Sequence, residues 1–334
     1  MKEDEKNDMP VFVKKLSELN SFHKEGWWIE NNLNVMREKL ALVESLVYRP
    51  VTNKNFNTAI RAIHFMVDKI PLMINYMDPV MIVRARPNYG ELFSEQADIS
   101  YNSKNPEKIS AGRFNRPLEP LFYGALAVDN PKTDNVLAST LECCKELQDD
   151  ERPPAVQDIT IGRWFVTQSF PVVNLCFDEK HLAGNKGIKD ATEMYLSELK
   201  TFFSNETYKF ILQFMKFFSE LSCSIDESKN YYYILNAFFF AIRYYYAHTR
   251  NTPIPGIIYP SAMTGAQGLN IVLVPQAVDR FLYLDLVVMY RFVLVKSTKQ
   301  YVADICSNFV PVKNKKFTIT GFHPSGDKNR VFYY

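Results

Sequence analysis

Apolar positions recur every three or four residues in two stretches near the start of the chain. Leu33, Met36, Leu40, Val43 and Leu46 predict a helix that Asn31 can cap, running through Tyr48 and ended by Arg49-Pro50. Ile60, Ile63, Met66 and Val67 predict a second helix from about Asn55 to Lys69, after which Pro71 and Pro79 bracket a short connector. The pattern changes at Val80. Val80-Met81-Ile82-Val83 is a β-branched apolar run that reads as strand and leads into Arg84-Ala85-Arg86-Pro87. Asn88 to Ala111 is polar and without period, and unstructured stretches of that length are usually functional or disordered. Leu121-Phe122-Tyr123 then reads as a short strand, Thr133–Leu147 as a helix, and Thr160–Phe177 as strand-rich.

Three helices follow, near Lys189–Phe203, Glu206–Leu221 and Lys229–His248. Ile257-Ile258-Tyr259 and Asn270–Val274 read as strands around a Ser261–Gly268 loop. Phe309–Thr320 looks strand-like, and so does Leu282–Val295, which a helix would also fit. The sum is an α+β chain whose elements are too irregularly spaced for a doubly wound sheet. It divides into a helical N-terminal region, residues 1–79, and a larger region, 80–334, with a helical insert around 178–248.

Composition narrows the chemistry. The 334 residues hold 39 Lys and Arg against 37 Asp and Glu, so the net charge of +2 lacks the basic excess of a general nucleic-acid binder. Twelve glycines are about half the usual ~7% share, which disfavours a glycine-rich phosphate loop. Neither G-x-G-x-x-G nor G-x-x-x-x-G-K-[ST] occurs, and G-x-S-x-G and H-E-x-x-H are also missing. Ser197-Glu198-Leu199-Lys200 fits S-x-x-K but falls mid-helix without companion motifs. The five histidines are scattered, and no metal site is expected. Five cysteines without C-x-x-C, and a charged first ten residues that do not read as a signal peptide, point to a reduced, cytoplasmic setting. Residues 1–9 are expected to be disordered. Tyr231–Ala247 is too short and, with Asn236 and Arg243, too polar for a membrane span, and reads as a buried helix.

What remains is an ordered set of polar residues on strand-rich sequence. Ile82-Val83-Arg84-Ala85-Arg86-Pro87 comes first, then Gly112-Arg113-Phe114-Asn115, Leu121-Phe122-Tyr123, Leu141-Glu142, and far downstream Gly256-Ile257-Ile258-Tyr259-Pro260-Ser261. Arg113 and Tyr123 are ten residues apart, and Glu142 follows on the next predicted helix. The set resembles the RES domain, the toxin family named for its arginine, glutamate and serine, over roughly Val80 to Val274. The chain is longer than RES toxins usually are. Its first 79 residues have no counterpart in that pattern, and the wide gap before Glu142 leaves Glu146 as an alternative.

The resemblance implies an ADP-ribosyltransferase-like catalytic domain that cleaves the nicotinamide–ribose bond of NAD+. Arg113, Tyr123 and Glu142 would be its catalytic residues, with Arg84, Arg86, Asn115 and Ser261 binding the dinucleotide. NAD+ would be substrate and no separate cofactor would be needed. The residue types suit that chemistry. Arginine offers a rigid fork of donors to a pyrophosphate, and a tyrosine ring can stack on nicotinamide. A placed carboxylate stabilises the oxocarbenium-like charge that develops on the ribose. The resemblance also implies a growth-arresting toxin or defence effector. It admits inorganic phosphate, an antitoxin of the Xre type and a second copy of the chain as partners, with no direct contact to nucleic acid or membrane. Transfer of ADP-ribose to a protein, and a silent module that binds a nucleotide or partner, are the rival readings. By default Arg113 would be a surface arginine, Ser261 a turn residue, and Cys143-Cys144 small core filling.

Overall fold

The computed structural model describes residues 12–13, 28–90, 92–126, 135–144, 156–177, 182, 185–226, 230–265, 268–295, 300–321 and 329–332. Helix α1 (Leu33–Leu46) buries Met36, Leu40, Val43 and Leu46 along one stripe, at the spacing the sequence predicts. Helix α2 (Asn53–Val67) begins where Thr52 accepts a hydrogen bond from Asn55 N at 3.1 Å, and it buries Ala59, Ala62, Ile63, Met66 and Val67. The short β1 (Phe12–Val13) lies ahead of them, and β2 (Ile74–Met77), β3 (Met81–Pro87) and β4 (Phe122–Leu126) follow. Next come α3 (Asn135–Cys143), β5 (Val156–Val166), β6 (Phe170–Asn174), and the helices α4 (Lys186–Phe202), α5 (Asn205–Ser222) and α6 (Tyr231–His248). The chain ends with β7 (Gly256–Pro260), β8 (Leu269–Leu273), α7 (Pro275–Phe281), β9 (Leu282–Val295), β10 (Gln300–Ile305), β11 (Val310–Pro311) and β12 (Asn329–Phe332). The protein is mixed α+β.

Several expectations change. The connector between Pro71 and Pro79 contains β2, because Ile74–Met77 finds a partner in β6. Leu282–Val295 is strand, paired along its length with β5 and further on with β10 and β11, so packing on both edges settles what its apolar run leaves open. Within Phe309–Thr320 only Val310–Pro311 pairs as strand. Pro311 cannot donate to a ladder, and Asn314 and Lys315 turn the chain at φ 51° and 62°. The expected disorder of residues 1–9 lies outside the described residues. No helix among the described residues is long and apolar enough to cross a membrane.

Contacts divide the chain into two units. One comprises Met1–Val80, Ser110–Leu118 and Gln168–Pro260, the other Met81–Ile109, Glu119–Thr167 and Ser261–Tyr334. The helical residues before Met81 group with 110–118 and 168–260.

In the first unit α6 is apolar on nearly all sides and is buried accordingly. Phe238 of α6 stacks on Phe218 of α5 at 3.9 Å between ring centres. Tyrosines in this core keep their hydroxyls satisfied: Tyr233 donates to Leu46 O and Tyr195 to Pro71 O. The sheet of this unit runs β1-β2-β6-β7, with β6 and β7 parallel and the other neighbours antiparallel.

In the second unit the strand order is β8-β4-β3-β5-β9-β10-β12, all antiparallel, with β11 on β9. Helix α3 covers one face, where Leu137, Leu141 and Cys144 pack with Val83, Ala85, Ile159 and Ile161. Strand β3 pairs with β5 from Met81↔Phe165 to Pro87↔Ile159, but with β4 only at Ile82↔Leu126 and Val83↔Ala125. Strand β4 meanwhile stays on β8 as far as Phe122↔Leu273. The two central strands therefore part beyond Val83. The Ala85 amide, left without a strand acceptor on that side, donates to Ser139 Oγ of α3 at 2.8 Å. Replacing Ser139 by Ala leaves this buried N–H unsatisfied. We expect Ser139→Ala to lower unfolding stability by about 1–3 kcal/mol, read as a shift in the urea midpoint, and an unchanged midpoint would refute the role.

Candidate functional site

Arg84 stands where β3 leaves β4. Its Nη1 donates to the Tyr123 carbonyl, and its guanidinium carbon lies 4.9 Å from the centre of the Phe122 ring. Alternation along the strand sends Val83 and Ala85 into the core beneath α3, so that Arg84 and Arg86 leave from the other side of β3. Arg84 is only 8% exposed, and its Nε has no hydrogen-bond partner among the described residues. Burial pushes its pKa down to about 9, and repulsion from Arg86 adds to the effect. Only Cys143 and Tyr123 pull the other way. An arginine remains charged at neutral pH all the same, so this cation is held in the fold against its burial and a neighbouring like charge. No carboxylate among the described residues pairs with it.

Arg86 is half-buried and better compensated. Burial lowers its pKa, but Cys143 and Asp98 favour its charge, and Nε donates to Asp98 O at 3.1 Å. The Asp98 carboxylate itself is taken up by Lys104 at 2.6 Å and by the amides of Ser94 and Glu95 at 3.0 and 2.9 Å. Thus the 88–111 segment, which the sequence shows only as an aperiodic polar run, folds about Asp98 beside Arg86. The thiol of Cys143, near both arginines, is nevertheless pushed up to about 12 by burial and by Cys144, which suits core filling and not a nucleophile.

On the α3 side of the same unit sits Glu142. Its Oε1 accepts from Ser261 Oγ at 2.6 Å, from Asn270 Nδ2 at 2.9 Å, and more distantly from Met263 N at 3.5 Å. No donor among the described residues engages Oε2. Ser261 is fully buried, and its own amide closes the loop by donating to Gly268 O at 2.8 Å. Gly268 is needed there, since a Cβ would come within 2.9 Å of Thr264 Oγ1 and 3.3 Å of Ser261 Cβ. Tyr123, half-buried on β4, shares a sheet face with Ala125, which stands opposite Asn270 in register. Arg84, Arg86, Tyr123, Glu142 and Ser261 therefore all belong to one unit, with Ser261 in direct contact with Glu142. Glu146 lies outside the described residues.

Arg113 and Asn115 belong to the other unit, in a loop fixed to α6. Phe114 between them packs on Tyr259 at 5.0 Å and Phe239 at 6.1 Å. Asn236 of α6 donates to Gly112 O at 3.0 Å, and Asn115 Nδ2 bridges Ser110 O and Arg116 O. Arg113 is also 8% exposed, but it is well provided for within its unit. It donates to Ser224 O at 2.9 Å and lies 5.5 and 5.9 Å from the Tyr231 and Tyr232 rings.

Two contributors are not flagged by the sequence reading. Asn270 carries a signal, being the one polar residue in the apolar strand Leu269-Asn270-Ile271-Val272-Leu273. Ser139 carries none, since nothing local tells a serine on α3 that a strand amide will need it.

No family model matches the chain, and none of the curated proteins searched matches it either.

The two buried arginines differ in sign. Below about pH 9 Arg84 is charged in both folded and unfolded chains, so the whole cost of its burial opposes folding, and that cost is relieved only as pH rises past the folded value. We expect Arg84→Met to raise unfolding stability at pH 7 by about 1–2 kcal/mol, the relief of the buried charge exceeding the loss of the donor to the Tyr123 carbonyl. Arg113→Ala, which strips a charge-assisted hydrogen bond and two ring contacts, should lower it by about 2–3 kcal/mol. Chemical denaturation of the two variants beside the wild type checks both, and a destabilised Arg84→Met would refute the uncompensated-cation argument.

Proposed function

We propose that this chain degrades NAD+ by cleaving the bond between nicotinamide and ribose, as an ADP-ribosyltransferase-like enzyme similar to the RES toxins. One observation carries the reading. Arg84 is a buried cation without a carboxylate partner among the described residues, in the same unit as a carboxylate that two buried side chains hold by one oxygen. A fold tolerates such a cation at a stability cost when an anion is due to arrive. A pyrophosphate answers that need, and Arg86 beside Arg84 supplies a second charged fork.

In this mechanism Arg84 and Arg86 bind the diphosphate of NAD+, and Tyr123 packs against the nicotinamide end. The C–N glycosidic bond breaks and its electron pair leaves with nicotinamide, which becomes neutral. Positive charge develops on the ribose, and Glu142, whose Oε2 no donor among the described residues engages, stabilises it. An oxygen of phosphate or water then bonds to the anomeric carbon. With water, the attacking oxygen loses a proton to solvent, and the products are ADP-ribose and nicotinamide. The chemistry asks for neither metal nor glycine-rich loop. Depletion of NAD+ fits the action of a growth-arresting toxin or defence effector in the cytoplasm, with an Xre-type antitoxin as the partner to seek.

The test is NAD+ concentration against time with purified protein, with and without inorganic phosphate. Arg84→Ala and Glu142→Gln should each slow turnover by about 10²–10³. Loss of NAD+ only with phosphate identifies a phosphorylase, and loss in both conditions a glycohydrolase. Arg113→Ala, corrected for its folded fraction, reports whether that arginine has a part in the reaction. No NAD+ loss by the folded wild type, or full activity in Arg84→Ala and Glu142→Gln, would overturn the proposal.

A further inference from the structure

Asn270 is 3% exposed in a five-residue strand whose other members, Leu269, Ile271, Val272 and Leu273, are buried and apolar. Asparagine is disfavoured in strands, and its amide is costly to bury unless it is hydrogen-bonded. Among the described residues its amide nitrogen has one partner: Nδ2 donates to Glu142 Oε1 at 2.9 Å across 128 residues of sequence. A carboxylate oxygen can only accept, so the chemistry fixes which end of the amide faces it. The register adds a second observation. Asn270 stands opposite Ala125 on β4, a residue small enough to leave room for the amide beneath the end of α3.

We infer that Asn270 is a positioning residue that tethers the Glu142 carboxylate by Oε1 and leaves Oε2 to the reaction. Ser261 donates to the same oxygen, but its hydroxyl rotates, whereas the amide is planar and projects from a fully paired strand. These donors hold Oε1 in place, and the paired strand fixes where the amide stands. The consequence for turnover rests on the NAD+ reading, while the tether itself does not.

Two readouts separate them. The side-chain amide of Asn270, identified by its loss in Asn270→Leu, should shift upfield in the ¹H–¹⁵N spectrum of Glu142→Ala, where the acceptor is gone. An amide that does not move overturns the tether whatever the activity. In the NAD+ assay, Asn270→Leu should lower kcat by about 10- to 100-fold with little change in KM, as expected when a charge-assisted contact that orients a reacting group is lost. Asn270→Asp adds a readout that mere support of the fold would not move. A carboxylic acid at this position donates only when protonated, so its activity relative to wild type should climb as pH falls. A ratio flat in pH, or a kcat for Asn270→Leu equal to that of an active wild type, would overturn the positioning role. If the wild type consumes no NAD+, the catalytic reading of the site falls, and the amide shift alone decides the tether.

Discussion

The candidate site depends on one break in an antiparallel ladder, the parting of β3 from β4 beyond Val83. Strand backbones carry a donor and an acceptor at every residue, so two strands that separate inside a protein must find other partners at once. Here the partners come from different parts of the second unit. Ser139 of α3 accepts the Ala85 amide, and the Arg84 guanidinium donates to the Tyr123 carbonyl. The same helix turn that mends the backbone carries Glu142 three residues later. The sheet thus opens beside a buried cation on one side of β3, while the carboxylate lies on the α3 side.

The energetics of the two buried arginines show why similar burial need not mean a similar role. Arg113 sits among a carbonyl and two tyrosine rings, and its neighbours are what a structural cation would want. Among the described residues Arg84 has one carbonyl, one ring, an unpaired Nε and a like charge two residues on. By this comparison Arg113 supports the fold that holds it, whereas Arg84 costs it. The raised Cys143 thiol supports the same picture from the other side, because even two nearby arginines do not offset its burial.

Reading along the chain, the residues of the candidate site were legible as an ordered set, though two of the supports were not. Arg84, Arg86, Tyr123 and Glu142 stand out as charged or polar residues in strand and helix context, and Ser261 as the residue after a buried strand. Asn270 could have been found by asking why an amide interrupts Leu269–Leu273, since a buried polar residue is more informative than an exposed apolar one. Ser139 could not, because the need for it arises only when β3 and β4 separate. Arg113 shows the limit of spacing. Ten residues from Tyr123 in sequence, it draws its visible partners from the 224–232 segment of the helical unit.

The sequence by itself determined the mixed α+β class of the fold and the elements whose apolar period is strongest. Helical period in α1 and α2, the β-branched run in β3, and the all-round apolar α6 follow from local side-chain chemistry and need no distant information. Only the tertiary structure decided that residues 1–80 group with 168–260 and that Leu282–Val295 is strand. It alone decided that Glu142 meets Ser261 and Asn270 across more than a hundred residues. The physical reason is the same in each case. Propensity and period act over one or two turns of chain, whereas a strand's second edge, an amide's acceptor and a buried charge's missing counterion depend on which segments the core brings together.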